Sequence, residues 1–310
     1  MPQVTDAGQK TGVAAVIGLG SMGYGMAQSL RRAGFDVVGC DVSAEATSRF
    51  AAEGGRPASS AAEAVAGADV VVSVVVNAVQ TEAVLFGPSG VAEAMPRESV
   101  FISSATMDPA IARRLSEKLE AMGRHYLDAP ISGGAVRAAK GELTIMASGS
   151  PVSFAKARAA LDAMAIKVHE LGETAGTGAA FKMINQLLAG VHIAAACEAI
   201  TFAAKQGLDL AKVYEVITSS AGNSWMFENR VPHVLAGDYT PLSAVEIFVK
   251  DLGIVQDMAR SARYPAPLAA AALQMYLAAA GSGMGHDDDS SLARLYADLS
   301  GTDLPGKAKP

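Results

Sequence analysis

The sequence of 310 residues is poor in cysteine: only Cys40 and Cys197 occur, far apart and outside any CxxC spacing. That scarcity excludes a disulfide framework and suggests no zinc site, so both residues read as core. Dense runs of lysine or arginine are also missing, and the formal net charge is −6, which argues against a nucleic-acid partner. Although half the residues are hydrophobic, they come in short runs broken by charges and glycines. No unbroken stretch of about 18 stands out, and no membrane partner is expected. The opening MPQVTDAGQKTG lacks the apolar core of a secretory signal. It reads as a frayed leader before the first strand, which makes the cytoplasm the expected location. Internal repeats are absent too. Five histidines, at 125, 169, 192, 233 and 286, form no motif-spaced pair with a carboxylate or arginine.

What is present is a change of texture midway. The first half alternates β-branched runs (VAAVI, FDVVGC, ADVVVSVVV, SVFISSA, HYLDAP, LTIMAS, and later KVHELG) with alanine-rich amphipathic segments. Runs such as VVVSVVV, without polar alternation, suit parallel strands covered on both faces. The second half reads as all-helical. A long, mostly buried helix is predicted over 178–207, and further helices over 211–219, 245–262 and 267–280, with turns at AGN, AGDYTP and GSGMGHDDD. Length favours two domains, set at 1–174 and 175–310. The fold class expected is an α/β N-terminal Rossmann domain, doubly wound on a mainly parallel sheet, joined by the long helix to an all-α C-terminal domain.

Directly after VAAVI comes GLGSMG, which fits G-x-G-x-x-G at Gly18, Gly20 and Gly23. Its place between the first strand and a helix predicted over 21–33 raises a weak motif to a specific one. Gly18 permits the tight turn, Gly20 lets a pyrophosphate approach bare backbone, and Gly23 lets helix pack on strand. Gly18, Leu19, Gly20, Ser21, Met22 and Gly23 are therefore the expected phosphate loop, with unpaired N–H groups at the helix start facing the anion. The second strand ends in Asp41, 23 positions after Gly18, where a carboxylate suits the adenosine ribose. With no arginine at once available for a 2′-phosphate, NAD is favoured over NADP.

Hydride transfer from an alcohol carbon needs a group that takes the hydroxyl proton. The distinctive candidate is Lys182, near the start of the long helix in GTGAAFKMINQ, with Gly178 and Asn185 on its helical face. An amine deep in an apolar helix gives up its proton more readily than one in water. A snorkelling surface lysine is the other reading, and the residues alone leave both open. The run His286, Asp287, Asp288, Asp289 is read as a solvated loop or helix cap and not as a metal site. No metal is expected.

Four ordered segments, GLGSMGYGMAQSL, DAPISGGAVRAAKGELTIMASG, GTGAAFKMINQ and KDLGIVQDMA, resemble the signature segments of the β-hydroxyacid dehydrogenase family over nearly the whole chain. The resemblance implies an NAD-dependent oxidoreductase acting on a small hydroxy acid, with Lys182 as the general acid/base. It further implies that Asn185 holds substrate beside that lysine, while Ser132, Gly133 and Gly134 receive the substrate carboxylate. Thr106, Lys250 and Asn77 match cofactor contacts. Without the family, an ordinary turn would be the reading of 132–134, and an exposed ion pair with Asp251 or Glu246 that of Lys250. Two departures stand out: Gln186 replaces the second of two adjacent asparagines, and the loop NAVQTEAVLFG lacks a proline the family often shows. NSWMFENRVPHVLAGDY and GMGHDDDSSLARLYADLSG are most similar to the branch that oxidises L-threonate at its 2-hydroxyl, and Trp225 and Phe248 are the expected pocket wall. Oxidation of 3-hydroxyisobutyrate or reduction of tartronate semialdehyde is the alternative within the family, and a non-catalytic NAD sensor a remote one outside it. Apolar helices such as LAAAALQMYLAAA suggest a homodimer or homotetramer.

Overall fold

The valine-rich runs become β1 (Val13–Ile17), β2 (Asp36–Cys40), β3 (Arg56–Pro57), β4 (Val70–Ser73), β5 (Val100–Ser103) and β6 (His125–Asp128). The structure, a computed structural model, describes residues 11–305; the reading of the N-terminal leader falls mostly on residues 1–10, which lie outside the described residues. The six strands form one sheet in the order β3-β2-β1-β4-β5-β6, with every pairing parallel. The order reverses between β1 and β4, and in open α/β sheets ligands bind beyond the carboxyl ends of the strands at such a point.

Helices α1 (Gly23–Arg32), α2 (Ala44–Ala52), α3 (Ala61–Val65), α4 (Ala78–Phe86) and α5 (Pro109–Glu120) connect these strands. Alternate residues of each strand feed two cores, one on each face. Val16, Val72 and Ile102 pack with Met26 and Leu30 of α1, whereas Ile17, Val71 and Phe101 pack with Leu85 of α4 and Leu115 of α5. This is the doubly wound α/β arrangement, and it explains why the valine runs show no polar alternation. The run ADVVVSVVV is only partly strand. At Val74 the N–H donates to the Ile17 carbonyl at 2.8 Å, and the chain then leaves the sheet beside the turn at Gly18.

Two of the expected strands leave the main sheet. A second, three-stranded sheet comprises β7 (Ile131–Ser132), β8 (Leu143–Ala147) and β9 (Ala165–Glu170), with β7 antiparallel and β9 parallel to β8. Helices α6 (Gly134–Lys140) and α7 (Pro151–Met164) lie between these strands in sequence. An isolated antiparallel bridge joins Asp128, at the end of β6, to Ser148.

The chain divides into two compact units, the first running to Lys182 and the second beginning at Met183. Helix α8 (Thr177–Lys205) spans this division. It is long and apolar enough to cross a membrane by length and composition alone, with a mean hydropathy of 1.7 over its most apolar window, which a search for unbroken apolar runs misses. Half of that window is buried inside the protein, as in a core helix. The second unit adds α9 (Leu210–Thr218), α10 (Trp225–Ala236), α11 (Val245–Ser261), α12 (Pro267–Ala279) and α13 (Leu292–Ser300). Its core gathers Ile193 and Cys197 of α8, Phe227 of α10, Phe248 and Leu252 of α11 and Tyr276 of α12. Helix α10 was not anticipated, since Pro232 interrupts its pattern; the Ser224 hydroxyl caps it by accepting from the Phe227 N–H. The HDDD run is a correction of a different kind. Asp288 does cap a short turn, but Asp288 and Asp289 are fully buried and not solvated.

Candidate active site

The glycine turn is built by backbone geometry. Gly18 has φ +94°, and a Cβ there would lie 2.6 Å from the Val74 carbonyl oxygen. A Cβ on Gly23 would run into the Gly18 carbonyl, so both positions require glycine where β1, β4 and α1 meet. Around Gly20 the situation is reversed. A Cβ there would meet nothing within 4 Å, so the bare backbone faces open space. Helix α1 has no side-chain cap, its N-cap residue being Met22, whereas α2, α3, α4 and α5 are each closed by a side chain. Leu19 is fully buried and Ser21 exposed.

Asp41 stands at the end of β2 beside this turn. One carboxylate oxygen accepts from the Leu19 N–H at 2.5 Å and the other from the Ser43 N–H at 2.7 Å. Asn77 caps α4, its side-chain oxygen accepting from the Gln80 N–H at 2.9 Å. Thr106 is half-buried in the loop between β5 and α5. Ser132 ends β7, and Gly133 and Gly134 follow with φ +137° and +77° at the start of α6.

The start of α8 is held by two side chains from elsewhere in the first unit. One oxygen of Asp128, Oδ2, accepts from the N–H groups of Gly176 (2.9 Å) and Ala179 (2.8 Å), and Ser148 Oγ accepts from the N–H of Gly178 (2.9 Å). Asp128 is fully buried. Burial pushes its carboxyl up to about 6, against the pull of those hydrogen bonds and of the Arg113 charge. Six residues beyond Gly176 stands Lys182, with 7 % of its surface exposed. The snorkelling alternative is thereby excluded. Asp128 and Ser148 were not singled out in the sequence; the signal lay in an aspartate placed just before the APISGG segment, at the end of a buried strand.

In the second unit a polar chain is assembled from α8 and α11. Asn185 donates to Gln186 (2.9 Å), Gln186 donates to Asp251 (2.5 Å), and the other oxygen of Asp251 pairs with Lys250. Gln186 and Asp251 are buried and Lys250 is half-buried, so this pair is not the exposed one that reading the residues alone suggested. Phe248 belongs to the core, stacked on Tyr276 with ring centroids 5.2 Å apart; as an expected pocket wall it is corrected by that burial. Trp225 opens α10 half in solvent, 51 % exposed. Among the described residues no group of three or more His, Cys, Asp or Glu is placed to hold a metal ion.

The first unit's features fit a bound dinucleotide: the exposed backbone of Gly20, the uncapped start of α1, and a carboxylate at the end of β2. Comparison with known proteins agrees. The family described as the NAD binding domain of 6-phosphogluconate dehydrogenase matches residues 13–172. The family described as NAD-binding of NADP-dependent 3-hydroxyisobutyrate dehydrogenase matches residues 176–296. The chain is 55% identical to the L-threonate dehydrogenase of Cupriavidus necator over 95% of this chain and 98% of that one. It is 48% identical to that of Haemophilus influenzae over 94% and 97%. A crystal structure of 3-hydroxyisobutyrate dehydrogenase from Salmonella typhimurium superposes with a TM-score of 0.88 at 48% identity, covering 91% of this chain and 99% of the other. Fold and sequence together define an NAD-dependent hydroxyacid dehydrogenase. More particularly, the chain belongs to the β-hydroxyacid dehydrogenase family typified by 3-hydroxyisobutyrate dehydrogenase.

Proposed function

We propose that the enzyme oxidises L-threonate at its 2-hydroxyl to the 2-oxo acid, with Lys182 as the general base. The observation that carries the chemistry is a lysine with 7 % of its surface exposed on the second turn of α8. The substrate assignment rests on relatives at 46–55% identity that are named L-threonate dehydrogenase. NAD, when bound, supplies the hydride acceptor.

The remaining roles belong to the chain's own residues. Gly18, Leu19, Gly20, Ser21, Met22 and Gly23 cradle the pyrophosphate, Asp41 accepts from the adenosine ribose, and Asn77, Thr106 and Lys250 line the cofactor. Ser132, Gly133 and Gly134 hold the substrate carboxylate through hydroxyl and backbone N–H groups. Asn185, one helical turn beyond Lys182, orients the reacting hydroxyl, and the neutral Lys182 amine takes its proton. In the reverse direction the protonated amine returns it. Residues 1–174 form the NAD-binding domain, which also lends Ser132, Gly133 and Gly134 to the substrate, and 175–310 the helical domain of substrate and subunit contacts, which lends Lys250 to the cofactor. The protein acts in the cytoplasm, as a homodimer or homotetramer; the subunit contacts are supported by Phe181, Ile184, Leu188 and Phe202, apolar side chains left exposed along α8.

The test is a side-by-side assay of L-threonate, 3-hydroxyisobutyrate and glycerate with NAD. L-threonate is expected to give the highest kcat/KM. A higher value for 3-hydroxyisobutyrate would favour the second reading, for which the name of the Salmonella structure speaks. Lys182→Ala is expected to lower kcat by about two to four orders of magnitude, the usual worth of a positioned proton acceptor, while NADH binding measured by fluorescence stays within twofold. Near wild-type turnover would remove Lys182 from the chemistry.

A further inference from the structure

The start of α8 is more tightly built than a helix end needs to be. Of its leading N–H groups, those of Gly176, Gly178 and Ala179 are all taken by side chains, namely Asp128 Oδ2 and Ser148 Oγ. An ordinary cap satisfies one such donor. The two acceptors are themselves tied together, since Asp128 and Ser148 exchange backbone hydrogen bonds of 3.0 and 2.8 Å. Gly178 completes the fit. A Cβ there would run into the Met146 carbonyl oxygen and lie 3.1 and 3.2 Å from the Asp128 carbonyl oxygen and Oδ2, so the helix can approach β8 and Asp128 this closely only without a side chain.

Asp128 also opens the segment that runs through β7 to Ser132, Gly133 and Gly134. The same buried residue therefore holds the helix carrying Lys182 and begins the strand-and-turn expected to receive the substrate carboxylate. We propose that Asp128 is a positioning residue: by clamping the first turn of α8 it sets the distance from the Lys182 amine to the carboxylate cradle at 132–134. This rests on the reading of Lys182 as general base given above. A carboxylate makes the clamp more rigid than an amide or hydroxyl would, because one charged oxygen collects two N–H donors and opposes the positive end of the helix. The consequence is kinetic. Slackening the clamp leaves the glycine turn untouched, so NAD binding should survive while the proton-transfer geometry is lost.

The experiment compares wild type, Asp128→Ala and Asp128→Asn, with kcat for L-threonate oxidation expressed per NADH-binding site so that unfolded protein does not count. For Asp128→Ala, kcat is expected to fall about ten- to a hundredfold, the scale of loss for a misplacement near 1 Å, with KM for NAD within twofold of wild type. Asp128→Asn keeps an acceptor oxygen and is expected to recover kcat to within about fivefold. A kcat within twofold of wild type for Asp128→Ala overturns the proposal, and so does equal impairment in the Ala and Asn variants. Should Asp128→Ala fail to fold, Ser148→Ala takes its place under the same twofold criterion. A wild type that turns over none of the three acids overturns the functional reading and this proposal with it; unaffected variants of an active wild type overturn the proposal alone.

Discussion

Gly18 and Gly20 show how two identical residues in one loop answer to different constraints. The first has φ +94° and backbone 2.6 Å from where a Cβ would stand; the second faces open space. Gly18→Ala should therefore damage the fold, whereas Gly20→Ala should keep Tm near that of wild type, as surface substitutions do. Its cost should appear in the cofactor: if the pyrophosphate lies against this backbone as proposed, a methyl group there is expected to raise KM for NAD by at least about tenfold. Asp41→Ala makes a matching case. It forfeits hydrogen bonds from a charged acceptor, about 1.5–3 kcal/mol, or roughly ten- to a hundredfold in KM for NAD. Steady-state kinetics with and without heating controls checks all three. A drop in Tm for Gly20→Ala equal to that of Gly18→Ala would contradict the assignment of separate roles.

Among the elements, α8 carries the most consequence, being clamped at one end in the first unit and packed along its length in the second. Gly190 sits where α11 crosses it. A Cβ there would lie 3.0 Å from both Leu252 and Phe248, and Tyr276, which donates to the Gly190 carbonyl at 3.1 Å, backs Phe248. Two effects oppose each other in Gly190→Ala. Helix propensity gains about 1 kcal/mol, while overpacking a filled core costs about 1–3 kcal/mol. Because Phe248 is stacked and has no room to retreat, overpacking should win, and urea denaturation should show a net loss of stability. A stabilised variant would mean that the contact relaxes freely.

At the scale of the whole molecule, two buried acids set terms for stability. Asp289 is fully buried and bonded through both oxygens to Arg230, at 2.5 and 3.1 Å. Truncating Arg230 to Ala leaves a buried carboxylate unpaired and is expected to cost about 3–5 kcal/mol in urea denaturation. Asp128 governs a pH dependence. Its carboxyl lies at about 6 in the folded protein, against about 3.9 when exposed. The folded chain thus binds the proton more tightly than the unfolded one. The stability this group contributes is present below pH 4 and lost as pH rises through 6. Measured against Asp128→Asn, which does not titrate, wild type should gain stability as pH falls from 6 to 4. A constant difference across that window would show that the acid is not buried as described.

Much was legible along the chain because it depends on local order. Gly18, Gly20 and Gly23 could be read from their spacing behind a valine run, and the parallel strands from their lack of polar alternation, since a strand covered on both faces has no side to give to water. The long helix was legible for want of breakers, and the resemblance of four ordered segments carried Lys182. What the tertiary structure decided were the pairings between distant residues. Asp128 reaches α8 across 48 positions to Gly176, and Gln186 meets Asp251 across 65. The place of Asp128 before APISGG marks the residue, but no local pattern pairs these residues with their partners. The burial of Asp288 and Asp289 was equally illegible, because a polar run reads as solvated until Arg230, 59 positions away from Asp289, is seen to neutralise it. Periodicity and turn chemistry act between neighbours in sequence, whereas desolvation and charge pairing act between neighbours in space, and only folding makes the second kind.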